Sequence, residues 1–419
     1  MTSEKPHRVH PRIILHGGAG NVTRQNLSKE RYAATRKAML AILDKTRSKL
    51  LAPDATALDV ATYAVSLLEN NGIFNSGHGA CFTTAGTQEL EASVMVSRGY
   101  RKRGVGVMNL RRVRNPVMLA REMLIRGEES DGAGAGAHCQ LQGETCERLA
   151  DEWGLDLVKP SYFWVRRQWD AHRKGLGLSC DDETYEREKK LADEDAADDP
   201  TWDGESYIPQ GTVGAVVLDS FGTICAATST GGLTNKLPGR VGDTPTIGAG
   251  FWAEEWPTRF RQTQSPAAEF SLAGWLRDCL PGLSDYIPLP SSSATTASIN
   301  TTPEFRAVGM SGTGNGDSFL RVNAARTAAA IARYARNAPY NVGVPLQDTI
   351  SNVAGPGGEL QRSAGDRWRK TGEGEGGIIG IDYDEGKGKV VFDFNCGGLY
   401  RAWIDDEDQE RFAIFRDEI

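Results

Sequence analysis

From Asp181 to Ile208 the chain carries 12 acidic and 3 basic residues in 28 positions. The net charge of this one segment, −9, exceeds the −7 of the whole chain. A stretch so charged buries too little apolar surface to offset the entropy of ordering it. Whatever core the chain builds must come from the residues on either side. The segment reads as the acidic part of an exposed, mobile linker over about 159–208, and it ends abruptly. In "PQGTVGAVVLD" (209–219) an apolar strand begins directly behind Gly211–Thr212.

Before the linker, "RIILHGGAG" (12–20) has the form of a short buried strand running into a glycine turn. Helices are expected over 28–48, 56–70, 113–126 and 140–153. The second is the clearest. Thr56 and Asp59 stand in capping-box spacing, and Val60, Ala61, Ala64, Val65 and Leu68 make one apolar stripe. After Thr212 come two strands, Val213–Asp219 and Thr223–Thr228, with "SFG" (220–222) as a hairpin turn. An insertion is expected over about 252–304, irregular from about 262. Its part 291–302 holds eight Ser or Thr in twelve residues. Order returns with "EFRAVGMSGTGNGD" (304–317), an alanine-rich helix over 317–336 and strands over 376–384 and 389–395. The sequence of elements predicts an α+β or layered α/β protein on largely antiparallel sheets.

Several chemistries are excluded or left without support. A net charge of −7 and a pI near 5.6 argue against a nucleic-acid partner. No apolar run approaches the ~18 residues of a membrane span, and "MTSEKPHRVHPR" has no apolar core of a secretory signal. Seven scattered cysteines without a C-x-x-C pair indicate neither zinc nor a disulfide framework, so a reducing, cytoplasmic setting is expected. "GEGEGG" (372–377) matches a dinucleotide fingerprint in spacing but precedes a strand, where the fingerprint must follow one. The six histidines are dispersed and form no recognisable triad.

Gly211–Thr212 remains. A hydroxyl is a weak nucleophile until a base takes its proton. Threonine at a chain terminus carries such a base, its own α-amino group, with an unperturbed pKa of about 7.7–8.0. Cleavage of the Gly211–Thr212 bond would expose it. The Thr212 hydroxyl could attack the Gly211 carbonyl, giving an ester that water cleaves. Glycine suits the position before the break because no side chain blocks attack and strained backbone is tolerated. Taken alone, the dipeptide is better read as an ordinary strand start, because β-branched threonine often opens strands and Gly-Thr is a common pair.

The surrounding blocks narrow the reading. "GTVGAVVLDSFGTICAATSTGGLTNKLPGRVGDTPTIGAG" (211–250), "HGGAG" (16–20), "FNSGHGA" (74–80), "SGTGNGD" (311–317) and "FNCGGLYRAW" (394–403) together closely resemble the plant-type asparaginase/isoaspartyl peptidase family. These are threonine-type N-terminal-nucleophile hydrolases. The resemblance runs from about 12 to 403 and leaves the acidic linker and the 252–304 insertion unmatched.

It implies one four-layer αββα sandwich domain over 1–419, autoprocessed into 1–211 and 212–419, commonly a homodimer of αβ units, with no cofactor. Thr212 would be the nucleophile and Thr230 the hydroxyl that hydrogen-bonds it; read alone, Thr230 is an ordinary strand-end residue. Arg240 and Asp243 would hold the substrate's free α-carboxylate and α-ammonium, a pairing that suits a guanidinium fork and a carboxylate. Without the family they read as a surface ion pair. Thr313 and Gly314 match the oxyanion hole, Gly316 a backbone substrate contact, and Asn75 a residue that positions the nucleophile. His16, Gly17 and Gly18 match a supporting loop. A structural sodium is implied on the backbone of the segment including Leu68, Glu69 and Phe74.

The implied reaction is hydrolysis of the β-amide of L-asparagine or of N-terminal β-aspartyl dipeptides. The alternative is a related endoprotease, a threonine aspartase, that cuts protein partners after aspartate. One departure bears on substrate: where the family usually has Asp-Ala-Ser ending in Met-Asp-Gly, this chain has "ELEASVMVSRG", with Glu91 for the first aspartate.

Overall fold

A computed structural model describes residues 9–192, 211–259, 304–335 and 343–418. The chain divides into two units, Met1–Glu255 with Arg306–Ile419, and Trp256–Phe305. Of the second, only strand ends at 256–259 and 304–305 fall among the described residues. The Ser/Thr-rich stretch 291–302 and the acidic residues 193–208 lie outside them.

The first unit is built on an eight-stranded sheet that interleaves the two halves of the chain. Strands β1 (Arg12–Gly20), β2 (Leu90–Val96), β3 (Gly104–Leu110) and β4 (Gln140–Gln142) precede Thr212. Strands β5 (Val213–Leu218), β6 (Ile224–Thr230), β11 (Gly398–Ile404) and β12 (Glu410–Ala413) follow it. The order across the sheet is β12-β11-β1-β5-β6-β2-β3-β4. The β5–β6 hairpin is therefore clasped between β1, through Ile14↔Val216, and β2, through Glu91↔Thr230. A break before β5 would leave these ladders intact.

Every residue of β5 is buried because both faces are covered. Val213, Ala215 and Val217 point into one core, with α1 (Lys29–Leu50), α2 (Ala57–Glu69) and α3 (Pro116–Ile125). Val216 and Leu218 point into the other, where β9 (Gly376–Asp384) packs on β1 and β5. β9 belongs to a second sheet of order β10-β9-β8-β7, with β7 Phe251–Arg259, β8 Glu304–Gly314 and β10 Lys387–Phe394. Antiparallel pairing dominates, with β3–β4 the parallel exception in the large sheet. The protein is thus α+β, with two sheets and several helices, as the order of elements predicts. Thr56 caps α2 by accepting from Asp59 N at 3.1 Å, as expected. α4 (Gly143–Glu152) also falls where the sequence places a helix.

Two expectations need correction. The stretch read as linker from 159 is ordered through Ala192, as α5 (Arg166–Gly175) and α6 (Asp182–Ala192). Its aromatic residues carry it: Trp164, Trp169 and Tyr185 bury against Phe82. Arg166 pairs with Asp170 and Asp182, and Arg173 with Glu188, which offsets the local acidity. Residues 251–259 form β7 at the start of the expected insertion, whose irregular part from about 262 lies outside the described residues. Second, the alanine-rich helix is two, α7 (Gly316–Val322) and α8 (Ala324–Tyr334), broken at Asn323 with φ 47°. Asparagine tolerates that left-handed conformation. The amides of Ala325 and Arg326, freed by the break, donate to Ala249 and Gly248. Two shorter helices, α9 (Leu346–Ala354) and α10 (Glu359–Ala364), complete the described set, and α9 packs on β9, β10 and α8.

No described helix is long and apolar enough to cross a membrane. The described cysteines are all free.

Candidate active site

Where β5 and β6 start and end side by side, the sheet opens on a cavity of about 450 Å3. Asn75, Gly211, Thr212, Thr230, Arg240, Asp243, Gly314 and Gly316 all line it. The strand register explains the first grouping. Val213 pairs with Ser229, so Thr212 and Thr230 come level at the mouth of the β5–β6 ladder.

Thr212 is 5% exposed. Its Oγ1 lies 3.3 Å from Oγ1 of Thr244, a residue that the sequence does not single out. Thr230 Oγ1 instead accepts from the Gly232 amide at 3.0 Å. Asn75 braces the same turn: its Nδ2 donates to Gly232 O at 2.8 Å, and its Oδ1 accepts from Cys81 N at 3.0 Å. Thr230 and Asn75 thus share the cavity with Thr212, while the described hydroxyl partner of Thr212 is Thr244.

Gly211 can be nothing but glycine here. A β-carbon on it would stand 2.6 Å from Thr313 Oγ1, 3.2 Å from Ala19 O and 3.3 Å from Gly314 N. The residue before Thr212 therefore rests against the hydroxyl and the amide that the sequence names as an oxyanion hole. Thr313 itself is fully buried, and its Oγ1 accepts from Ala19 N at 3.2 Å. Gly314 has φ 143°, and a β-carbon there would strike the Glu375 carbonyl. The "SGTGNG" spacing is thus a demand of close approach. At Gly316 a β-carbon would strike Asp243 Oδ1.

His16, Gly17 and Gly18 lie behind the cavity and do not line it. Burial lowers the His16 pKa to about 3, so its ring is neutral at any working pH. Its Nε2 is 2.7 Å from Ser311 Oγ, which is itself 2.8 Å from Thr228 Oγ1. This chain of polar groups passes over Gly214, whose lack of a side chain leaves room for it.

The opposite wall carries charge. Arg240 Nη2 lies 2.8 Å from Asp317 Oδ2. Asp243 is buried, and its Oδ2 has no hydrogen-bond partner among the described residues, nor has Arg240 Nε. Burial raises the Asp243 pKa to about 7, with Arg240 opposing the shift and Glu91 adding to it. Two carboxylates clamp the backbone of this loop. Glu89 Oε2 accepts from Gly239 N at 2.7 Å, and Glu91 Oε1 accepts from Gly242 N at 3.0 Å. Glu89 is in turn held by Arg111 at 2.6 Å. Glu89 immediately precedes β2 and Glu91 is its second residue, and both reach the backbone of the 239–242 loop. Glu91, visible in the sequence only as a departure from a pattern, thus serves the loop that carries Arg240. Burial raises its pKa too.

The loop after α2, where the resemblance implies a sodium, is rich in closely set backbone oxygens. A β-carbon on Gly79 (φ 114°) would come 2.6 Å from Phe74 O and 2.8 Å from Gly72 O. One on Gly77 would strike Glu69 O, which accepts from His78 N at 2.7 Å. Leu68 O accepts from Asn71 N at 3.1 Å. Oxygen ligands of this kind are what a hard cation would take, although Leu68 O and Glu69 O already accept amide hydrogens. The Glu69 carboxyl is engaged elsewhere, accepting from Ser229 Oγ at 2.7 Å and Val117 N at 3.0 Å. Among the described residues no group of three or more His, Cys, Asp or Glu is placed to hold a metal.

The residues that sequence reasoning missed are Thr244, Asp317 and the clamp function of Glu89 and Glu91. Thr244 adjoins Asp243, and Asp317 closes the "SGTGNGD" block, so adjacency to a motif was the available signal.

The sequence profile described as "Asparaginase" matches residues 9–257. An isoaspartyl peptidase of Salmonella typhimurium is 31% identical over 410 residues, covering 97% of this chain and 98% of its own. An isoaspartyl peptidase of Escherichia coli is 31% identical over 408 residues, covering 97% and 96%. An isoaspartyl peptidase/L-asparaginase of Mus musculus is 33% identical over 242 residues, covering 58% and 63%.

Proposed function

The chain belongs to the asparaginase family, and on that premise we propose that it hydrolyses the β-amide of L-asparagine and of N-terminal β-aspartyl dipeptides. It is a hydrolase. The observation that carries the mechanism is the seat of Gly211 against Thr313 and Gly314. In the uncleaved chain the same two donors would stabilise the oxyanion formed when Thr212 attacks the Gly211 carbonyl. After cleavage they would serve the substrate carbonyl. One oxyanion hole is used twice.

Once freed, the Thr212 amine, with an ordinary pKa of about 8, takes the hydroxyl proton directly or through water. Thr212 Oγ1 attacks the β-carbonyl of the aspartyl unit, and the amine or ammonia leaves with that proton. Water then cleaves the β-aspartyl ester. Thr230, Thr244 and Asn75 hold the reacting hydroxyl and its turn. Arg240 takes the α-carboxylate and Asp243 the α-ammonium, so internal peptide bonds, which lack both, are refused. The endoprotease alternative is not favoured, because the bacterial relatives matched along nearly the whole chain are isoaspartyl peptidases.

The reading includes the four-layer sandwich of N-terminal-nucleophile hydrolases, a homodimer of processed αβ units and a sodium ion held by backbone oxygens of Leu68, Glu69 and Phe74. The ion would stiffen the loop that presents Asn75. The free cysteines support a reducing, cytoplasmic setting.

The test is intact mass under denaturing conditions. Wild type is expected as two fragments divided before Thr212, and Thr212→Ala as one uncut chain inert toward L-asparagine and β-Asp-Leu. Processed wild type that ignores both substrates would sink the assignment, and a cleaved Thr212→Ala would sink the nucleophile.

A further inference from the structure

Beside the catalytic cavity lies a second, more open pocket lined by Asn315, Asp317, Arg321, Arg367, Thr371 and Glu373. Asn315 and Thr371 line both, so the two spaces adjoin across a shared wall. Their charges differ. On the aspartyl side Asp243 and Glu91 face Arg240, whose Nη2 is already held by Asp317. In the adjoining pocket two guanidinium groups share one carboxylate: Arg321 Nη2 lies 2.5 Å from Glu373 Oε2, and Arg367 Nε 2.8 Å from Oε1. Arg321, first, and then Arg367 hold Glu373 below the usual carboxylate range. It stays ionised, and the trio keeps one net positive charge.

The two arginines are not equivalent. Arg321 is also committed to the Ser363 carbonyl at 3.0 Å. Arg367 uses Nε on Glu373, and its two terminal nitrogens have no partner among the described residues. Glu373 therefore orients a fork whose free ends remain available. A guanidinium oriented in this way suits a carboxylate, which it can take through two parallel hydrogen bonds.

We propose that this pocket is the leaving-group subsite, in which Arg367, oriented by Glu373, receives the free α-carboxylate of the amino acid released from a β-aspartyl dipeptide. The inference rests on the function proposed above and deepens it. In such a dipeptide that carboxylate is two bonds beyond the scissile nitrogen, on the side away from Arg240. L-asparagine, which releases ammonia, has nothing to place there. The pocket thus makes a C-terminally free dipeptide the preferred substrate class.

Processed full-length enzyme is compared on β-Asp-Leu, its C-terminal carboxamide and L-asparagine, by steady-state kinetics. Wild type is expected to favour the free dipeptide over the carboxamide about tenfold in kcat/KM, the worth of one charge-assisted hydrogen bond. Arg367→Ala should erase that preference through KM, while moving the carboxamide and L-asparagine less than twofold. Arg367→Lys should restore part of it, and Arg367→Glu should invert it. Equal turnover of the two dipeptides by wild type overturns the subsite, as does an Arg367→Ala loss spread evenly over all three substrates. Processed wild type inert toward all three is a different failure. It overturns the assigned function and the subsite with it.

Discussion

On one side of the cavity the chain brings Arg240 and Asp243, backed by Glu89, Glu91 and Arg111. On the other it brings "SGTGNG" (311–316), which holds three glycines and no charge. The charged wall is rigid because carboxylates grip its backbone at Gly239 and Gly242. The neutral wall is rigid because its glycines admit approaches that any side chain would block. The difference divides the labour. Charge fixed on the ends of a substrate holds ground state and transition state alike, so its loss appears in KM. Donors aimed at a developing oxyanion act in the transition state, so their loss appears in kcat.

The largest effect expected on the neutral wall is at Gly211. Gly211→Val would drive a branched side chain into Thr313 Oγ1, so processing should stop and activity with it. Fragment appearance on denaturing gels checks this; normal processing would show that Gly211 does not rest where the structure puts it. Next comes Thr313→Val, nearly isosteric but without the hydroxyl. A fall in kcat of about 10²–10³ with little change in KM is expected, and processing should slow in parallel. A KM effect alone would break the division between the walls.

The charged wall answers to pH. Burial holds Asp243 near pH 7 in the free enzyme, so at lower pH it carries a proton and offers no charge to the substrate ammonium. Substrate binding favours the ionised form. The sign follows: KM for L-asparagine should rise as pH falls through 7, approaching tenfold per pH unit. The Thr212 amine also protonates below about pH 8, but that limb appears in kcat. In Asp243→Asn the KM limb should flatten at a high value while the kcat limb stays. A KM limb that survives the substitution belongs to another group.

These sites differed in how far they could be read beforehand. β1, α2, β5, β6 and β9 were legible because period and caps act locally. So were Gly211, Gly314 and Gly316 of the cavity wall, since glycine demanded by close approach leaves a mark in the sequence, whereas Gly372 and Glu375 of "GEGEGG" were not. The helices α5 and α6 were not, because their order depends on a distant residue, Phe82, and on ion pairs that composition counts as repulsion. Glu89 and Glu91 escaped for the same reason. Their role exists only once β2 lies beside β6 and the 239–243 loop folds over both. Thr244 is a subtler miss. Nothing in its neighbourhood distinguishes it from Thr246 until the tight turn at Asp243, whose carbonyl accepts from the Thr246 and Gly250 amides, fixes which hydroxyl faces inward.

The smallest effect tests the seam between the walls. Asp317 follows the neutral motif directly, yet it pairs with Arg240 on the charged side at 2.8 Å. The carboxylate is about half exposed, so the pair is worth no more than ~1 kcal/mol. Asp317 competes with the substrate α-carboxylate for Arg240 Nη2. Asp317→Asn should therefore lower KM for L-asparagine about two- to threefold, a fraction of a kcal/mol, and leave kcat unchanged. Salt provides the control. At 0.5–1 M the Debye length shrinks to roughly 3–4 Å, so wild type and variant should converge. If KM rises instead, Asp317 positions Arg240 more than it competes for the substrate. The charged wall would then depend on the neutral one for its geometry, and the two could no longer be assigned separately to binding and to chemistry.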